Sequence, residues 1–134
     1  MAGKLVNDGE NRIADIIFGA TAVDSSLYLG LYTNSSEPAE GDSLSSITVP
    51  SGSANGYAAI TLSRGSWTVT NDNAAYAQQT FTASGGDWGN VYGYYIATST
   101  DGTGVLLFVE TFSDGPYNVT DGDSVKITPS ITVA

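Results

Sequence analysis

Apolar residues alternate with polar ones in short runs along most of the chain, and this period of two limits the possible folds more than any other feature. Leu27, Leu29 and Leu31 alternate in this way, and residues 125–133 repeat the pattern near the end. Successive side chains of a β-strand point to opposite faces, so a period of two indicates strands with one buried face. Turn residues separate the runs about every ten positions. The sequence therefore predicts about eight short strands in a single antiparallel β-sandwich of jelly-roll type, an all-β fold.

The composition agrees with short strands joined by tight turns. The 134 residues include 16 Gly, 16 Ser and 15 Thr, and such a load is typical of strands and turns rather than helices. A chain of this length is expected to form one hydrophobic core. We predict a β-sandwich domain over residues 21–134, preceded by an N-terminal arm or short helix over residues 1–20.

Residues 10–18 are the helical candidate in the arm. Asn7 or Asp8 can cap the helix, and Asp8 and Glu10 place negative charge where it suits the helix dipole. Gly19 is expected to end the helix. The segment is therefore predicted to be a short amphipathic helix.

The predicted helix has one apolar stripe, formed by Ile13, Ile16 and Ile17 at helical spacing. Two interpretations are open. The stripe packs on the chain's own sandwich, or it contacts a neighbouring subunit. These three isoleucines are candidate interface residues.

The period of two assigns the strands and some of their pairings. The predicted strands are residues 27–32, 57–62, 66–70, 78–82, 88–97, 104–112 and 125–133. Residues 63–65 read as a tight hairpin turn between the second and third of these. The strands at 88–97 and 104–112 are expected to be neighbours, and Pro129 indicates an edge or a bulge because proline cannot donate a ladder hydrogen bond.

The longest irregular stretch is residues 34–54, which is rich in Ser, Glu, Pro and Gly. Loops of this length are often functional. We predict a binding loop or an excursion at the edge of the sandwich.

The chain contains no cysteine and no histidine. This excludes disulfides, thiol nucleophiles and histidine-dependent catalytic or metal sites. Paired carboxylates remain for acid–base catalysis, but the acids lie mainly beside glycine, as in Asp101-Gly102 and Asp114-Gly115. Turn chemistry explains these dipeptides. We therefore predict a protein that is not an enzyme and has no cofactor.

Oxygen ligands suitable for calcium occur in two turns, residues 71–73 and 121–123. Neither turn has the repeated acids and the distant glutamate of an EF-hand loop. We interpret both as plain turns and predict no metal site, with a surface calcium ion as the alternative.

The balance of charge limits the possible partners. Acidic residues outnumber basic ones 14 to 4, for a net charge of −10, and the four cations are scattered along the chain. Nucleic-acid binding depends on clustered Lys and Arg, so no nucleic-acid partner is predicted. No run approaches the length of a membrane span and the start lacks an apolar signal core, so we predict no membrane contact and synthesis in a cytoplasm.

Aromatic residues are concentrated in one predicted strand, where Trp88, Tyr92, Tyr94 and Tyr95 lie close together in sequence. Three interpretations remain open. The rings stack on sugars, they fill a protein interface, or they are core residues of a strand. These four residues are candidate interface residues.

Several runs resemble small virion proteins of tailed bacteriophages. They are NDGE at 7–10, LGLYTN at 29–34, GYAAITL at 56–62, Trp67, QTFT at 79–82, WGNVYGYYIA at 88–97 and GDSVKI at 122–127. The group is similar to capsid decoration (cement) proteins and to small tail and fibre modules. The resemblance implies a jelly-roll-like fold, assembly into a homotrimer and no catalytic residues.

Together these observations lead to a hypothesis of function. We expect a non-catalytic decoration protein on the exterior of a phage capsid, where a homotrimer binds the major capsid protein and stabilises the shell. Acidity favours the outer face, because packaged DNA would repel it. Residues 1–19, 34–54 and 88–95 are the interface candidates. The alternative is a tail-fibre or receptor-binding module that recognises host glycans through Trp88, Tyr92 and Tyr94.

Overall fold

A computed structural model describes residues 3–50 and 55–133 of the protein. These residues form one α-helix and twelve short strands, and every strand pairing is antiparallel. The predicted all-β, sandwich-like fold with a short helix near the start is confirmed. The jelly-roll arrangement stays a prediction.

The strands are shorter and more numerous than the sequence predicts. They are β1 (Lys4–Leu5), β2 (Ser26–Tyr32), β3 (Ile60–Ser63), β4 (Thr68–Thr70), β5 (Asn73–Ala75), β6 (Gln79–Thr82), β7 (Gly89–Val91), β8 (Gly93–Ala97), β9 (Leu106–Thr111), β10 (Tyr117–Val119), β11 (Ser124–Ile127) and β12 (Ser130–Thr132). The helix α1 covers Asn7–Phe18, and single 3-10 turns lie at Leu44–Ser46 and Arg64–Ser66.

The largest sheet in the described residues has five strands in the order β1-β9-β8-β2-β3. The expected neighbours β8 and β9 do pair, with Tyr95 opposite Val109. The sheet is buried on both faces. Leu29 and Ile96 point into the main core cluster, while Tyr95 and Val109 point into a second cluster on the other side.

Three smaller sheets complete the sandwich, in the orders β10-β7, β11-β6 and β12-β5-β4. Their inward side chains join the main cluster, for example Val91 from β7, Phe81 from β6 and Ile127 from β11. The main core therefore lies between the five-stranded sheet and these smaller sheets.

Helix α1 ends at the predicted residue but begins three residues earlier than expected, at Asn7. The predicted side-chain cap is absent, since Val6 occupies the cap position and its backbone is held by the Leu107 carbonyl (N···O 3.1 Å). Strand β1 places Val6 beside β9, so tertiary contact fixes the helix start where a capping side chain was expected.

The predicted hairpin at residues 63–65 is wrong. Strand β3 pairs with β2, whereas β4 pairs with β5 in a different sheet. The amide of Arg64 donates to the carbonyl of Ser25 (3.1 Å), and a 3-10 turn then carries the chain between the two sheets.

Two long predicted strands are each divided between two sheets. Residues 88–97 become β7 and β8, and the break at Tyr92 sends β7 to β10 and β8 to β2 and β9. Residues 125–133 become β11 and β12, with the buried Pro129 at the break. Proline's missing N–H explains the second break.

The irregular stretch that follows β2 is described as far as residue 50 and packs against the second cluster. Asn34 closes it, since its side-chain amide donates to the Ser46 carbonyl (2.9 Å) and its amide oxygen accepts from the Thr48 N–H (2.8 Å). Leu44 is buried in the second cluster. The predicted loop's last four residues, 51–54, lie outside the described residues.

Candidate functional site

An open apolar groove of about 630 Å³ lies beside helix α1. The helix α1 forms one part of its lining, the sheet β12-β5-β4 and the segment after β12 form another, and β2 and β9 also contribute side chains. We call this feature the α1 groove and define it by Ile13, Ile16, Leu27, Trp67, Val69 and Val133. Its lining contains few polar groups, so its chemistry suits an apolar partner surface.

The sequence forms one wall of the groove by placing α1 directly on β9. Gly9 is the buried residue of the helix, and a Cβ at this position would lie 2.2 Å from the Leu107 carbonyl oxygen. Only glycine permits this approach. Helical spacing then turns Ile13 and Ile16, which are half-buried, toward the groove.

An ion pair fixes the helix to the loop before β2. Arg12 Nη2 lies 2.6 Å from Asp24 Oδ1, and Arg12 Nε donates to Asp24 Oδ2 at 3.1 Å. This two-point geometry holds the guanidinium at the groove's edge. The wall formed by α1 is therefore attached at two places, by packing and by charge.

Arg64 also lines the groove and is exposed. Within residues 3–50 and 55–133, the ion pairs are Lys4–Glu37 and Arg12–Asp24. In that part of the chain Arg64 and Lys126 have no acidic partner at ion-pair distance. Of the two arginines that line the groove, Arg12 is paired with Asp24, and Arg64 has no acidic partner among the described residues.

Large apolar side chains stay exposed in and next to the groove. They are Ile17 (64% exposed), Phe18 (87%), Val23 (50%), Val69 (69%) and Val133 (49%). Scattered apolar residues are normal on a surface, but a group around one concavity is typical of an interaction site. The α1 groove and these five residues together form the α1 face.

The candidate interface residues of the helix belong to this face. Ile13 and Ile16 line the groove, and Ile17 is exposed beside them. Ile13 and Ile16 lie half-buried next to the chain's own sheets, as the first interpretation of the stripe expects, while Ile17 is exposed. The contact with a neighbouring subunit stays a prediction. The helix stripe is therefore the candidate that the structure leaves accessible to a partner.

The candidate aromatic residues lie elsewhere and mostly inside the molecule. Trp88, Tyr94 and Tyr95 are 6%, 3% and 4% exposed. The Trp88 indole donates to the Asn55 carbonyl (2.8 Å), and its ring meets Tyr57 edge-on with centroids 5.6 Å apart. Such rings fit the core interpretation, and neither a glycan nor a protein partner could reach them on this surface.

Tyr92 and Tyr94 do not share a face, contrary to their spacing of two. Tyr94 lies in the main cluster, whereas Tyr92 is half-buried against the second cluster. The sheet change at Tyr92 breaks the alternation, since its N–H donates to the Tyr32 carbonyl (3.0 Å) and its carbonyl accepts from Phe112 (2.9 Å). The structure does not place these aromatic residues with the isoleucines of α1.

The acidic turns are stabilised by their own hydrogen bonds. Asp101 accepts from the side chain and backbone N–H of Thr103, and Asp123 accepts from both groups of Thr120. These bonds lower the pKa of both carboxyl groups. In the described ranges no three acidic side chains come close enough to hold a metal ion.

Sequence reasoning missed Trp67, Val69 and Val133 as parts of the candidate site, whereas Phe18 falls in the interface candidate range 1–19. Val69 carries a weak signal, because it is an apolar residue between Thr68 and Thr70 in a strand whose three residues are all exposed. Alternation shows that Val69 faces one side of its sheet, but it does not show which element lies there.

Two further findings concern membrane-spanning helices and similarity to known proteins. No helix in residues 3–50 or 55–133 has both the length and the apolar character needed to span a membrane. No protein-family model and no curated protein matches the sequence.

Proposed function

We propose that the protein is a non-catalytic capsid decoration (cement) protein of a tailed bacteriophage, which binds the outer surface of the major capsid shell and stabilises it. The observation that carries the proposal is the α1 face. It presents an apolar groove together with exposed Ile17 and Phe18 on a chain with a net charge of −10. A face of this kind is suited to assembly with other proteins.

The net negative charge supports a position on the outer side of the shell. The chain carries a net charge of −10, so packaged DNA would repel it, while the same charge keeps particles apart in solution. The cations that nucleic-acid binding needs are few, and two of the four are paired with acids.

The low density of charge supports binding to other β-rich proteins. Charged residues are 13% of the chain, so broad polar faces can meet a partner with a small desolvation penalty. The proposal includes the jelly-roll arrangement and the homotrimer that the phage resemblance implies. The loop at residues 34–54 is a second interface candidate, and in its described part Val49 is 41% exposed.

Copy number per particle tests the proposal most directly. Quantitative mass spectrometry of purified virions is expected to give many copies, in proportion to the major capsid protein. Capsids assembled without this chain are expected to break at a lower temperature, and added purified protein is expected to restore their stability. Full stability without the chain would contradict the proposal, and a few copies at the tail would favour the fibre alternative.

A matched pair of variants tests whether the α1 face takes part. Val69→Ser removes an exposed apolar group from the groove, whereas Thr80→Ser changes an exposed residue on β6. We expect Val69→Ser to weaken co-sedimentation with capsids about tenfold, since burying one valine contributes about 1.5 kcal/mol. Thr80→Ser should bind like the original chain, and equal binding by both variants would exclude the α1 face.

A further inference from the structure

We propose that the α1 groove receives Phe18 from a second copy of this chain, and that Asp15 of that copy pairs with Arg64 at the groove's edge. The inference rests on the proposed function only in treating the α1 face as an interaction surface. It names the occupant of the groove, which neither the resemblance nor the comparisons provide.

Phe18 cannot fill the groove of its own chain. At about 100° per residue, Phe18 lies roughly 140° around the helix from Ile13, which lines the groove. Its side chain is 87% exposed. The molecule therefore carries an apolar projection and an apolar recess that do not meet within one copy.

The groove has the size and lining to take an aromatic side chain. Its volume of about 630 Å³ falls within the range of pockets that bury small organic ligands. Trp67 contributes to the lining and is held edge-on by Tyr76, with ring centroids 5.2 Å apart. An incoming phenyl ring would meet this indole and the side chains of Leu27 and Ile16.

Charge complementarity selects a second copy as the occupant. Arg64 lies at the groove without an acidic partner among the described residues. The segment that carries Phe18 supplies one, because Asp15 is exposed and precedes Phe18 by three residues, which places the two side chains next to each other on the helix. One copy thus brings an apolar group and an acid to a site that offers a recess and a cation.

The contact joins two different surfaces, the end of α1 on one copy and the groove on the next. Such head-to-tail contacts close into a ring when the rotation between copies permits it. Each copy in a ring buries its own Phe18 and has its own groove filled. A homotrimer, as proposed above, is one such ring.

Sedimentation velocity of the purified full chain tests the contact in the absence of capsids. We expect the original chain to self-associate, and Phe18→Ser to require at least about tenfold higher concentration for the same degree of association. Thr80→Ser is the control, because Thr80 is exposed on β6 and does not line the groove. A chain that stays monomeric at millimolar concentration, or an oligomer that Phe18→Ser leaves unchanged, would overturn the inference.

A charge exchange tests the proposed pair. Arg64→Glu is expected to weaken association, and adding Asp15→Lys should restore it, while the double variant keeps the net charge of the original chain. Failure of the double variant to restore association would exclude the Asp15–Arg64 contact. Val69→Glu, which places a charge in the groove lining on β4, should weaken association independently, and circular dichroism confirms that each variant is folded.

The two proposals fail in different ways. A monomeric chain that binds capsids in many copies would exclude the Phe18 contact and leave the decoration function intact. A ring that depends on Phe18 but is absent from virions would exclude the decoration function and leave the Phe18 contact intact.

Discussion

Two glycines let large tyrosine rings lie inside the main sheet. Gly30 is opposite Tyr95, and Gly93 is opposite Tyr32. A Cβ on Gly30 would lie 2.3 Å from the Tyr95 ring, and one on Gly93 would lie 2.4 Å from the Tyr32 ring. Each ring therefore crosses the space that a side chain on the neighbouring strand would fill. Alternation with Leu29 and Leu31 predicts that Gly30 and Tyr32 of β2 lie on an outer, partly aromatic face. In the structure this face is covered, and Tyr32 belongs to the second core cluster.

Burial of tyrosine hydroxyls gives the protein a specific response to alkali. Desolvation raises the pKa of Tyr57, Tyr94 and Tyr95 above the usual value of 10.0. A raised folded-state pKa contributes stability that is fully present below pH 10.0 and is lost as the pH rises through the folded-state pKa.

We predict that part of the tyrosinate absorbance will appear only when the protein unfolds in alkali. Tyr57, Tyr94 and Tyr95 should ionise together with the loss of the far-ultraviolet circular dichroism signal, because desolvation disfavours their charged form in the folded protein. Parallel absorbance and dichroism titrations measure both events. Complete tyrosine ionisation in the folded protein would show that these rings are accessible to water.

At the scale of elements, the position of α1 depends on one contact between helix and sheet. The helix lies so close to β9 that Gly9 meets the backbone of Leu107. The wall of the α1 groove formed by Ile13 and Ile16 depends on this approach.

We predict that Gly9→Ala lowers the free energy of unfolding by about 1 kcal/mol or more. Alanine favours a helix over glycine by about 1 kcal/mol, but the added methyl would lie 2.2 Å from a carbonyl oxygen, and overpacking costs about 1–3 kcal/mol. Urea unfolding measures the change. Asn11→Ala, at an exposed position on the same helix, is the control and should be neutral or slightly stabilising. A Gly9→Ala protein as stable as the control would contradict the close packing of α1.

Local pattern predicted the existence of most elements, and long-range contact decided their partners. The end of α1, the strand β2 and the pairing of β8 with β9 agree with the sequence. The hairpin after β3 does not, because a turn motif shows that the chain reverses but not which sheet receives the next strand. The break at Tyr92 is followed directly by Gly93, but a glycine in a strand does not show that the chain changes sheets, and the hydrogen bonds to Tyr32 and Phe112 explain the break.

At the scale of the whole molecule, the excess of acidic residues produces repulsion within the folded chain. The net charge of −10 acts against the compact state, and the two ion pairs of the described residues offset little of it. Added salt should therefore stabilise the folded protein, because it weakens the repulsion among the acidic groups more than it weakens the two ion pairs.

We predict that raising sodium chloride from about 0.01 to about 0.15 M increases the melting temperature by about 3 °C, the shift that about 1 kcal/mol produces in a domain of this size. Scanning calorimetry at low protein concentration measures the change. The Phe18→Ser chain should show the same increase, since the effect belongs to the single molecule. A lower melting temperature in salt would mean that attractive pairs dominate.

The sequence by itself determined the properties that are local or additive. Side-chain period depends on neighbouring residues, so it predicted short strands and one amphipathic helix. Net charge and residue types are sums over the chain, so they excluded cysteine and histidine chemistry and led to the prediction of no nucleic-acid partner. The period also identified Leu29 and Leu31 as inward residues of β2, which the structure confirms.

Only the tertiary structure decided which surfaces are buried and which remain free. Alternation shows that two faces of a strand differ, but the burial of both depends on elements distant in sequence that pack against them. For that reason Trp88, Tyr94 and Tyr95 became core residues, while Phe18 and Val69 remained exposed around a groove. The candidate site therefore exists only where α1, β2, β4 and β12 come together, because no single run of the sequence contains it.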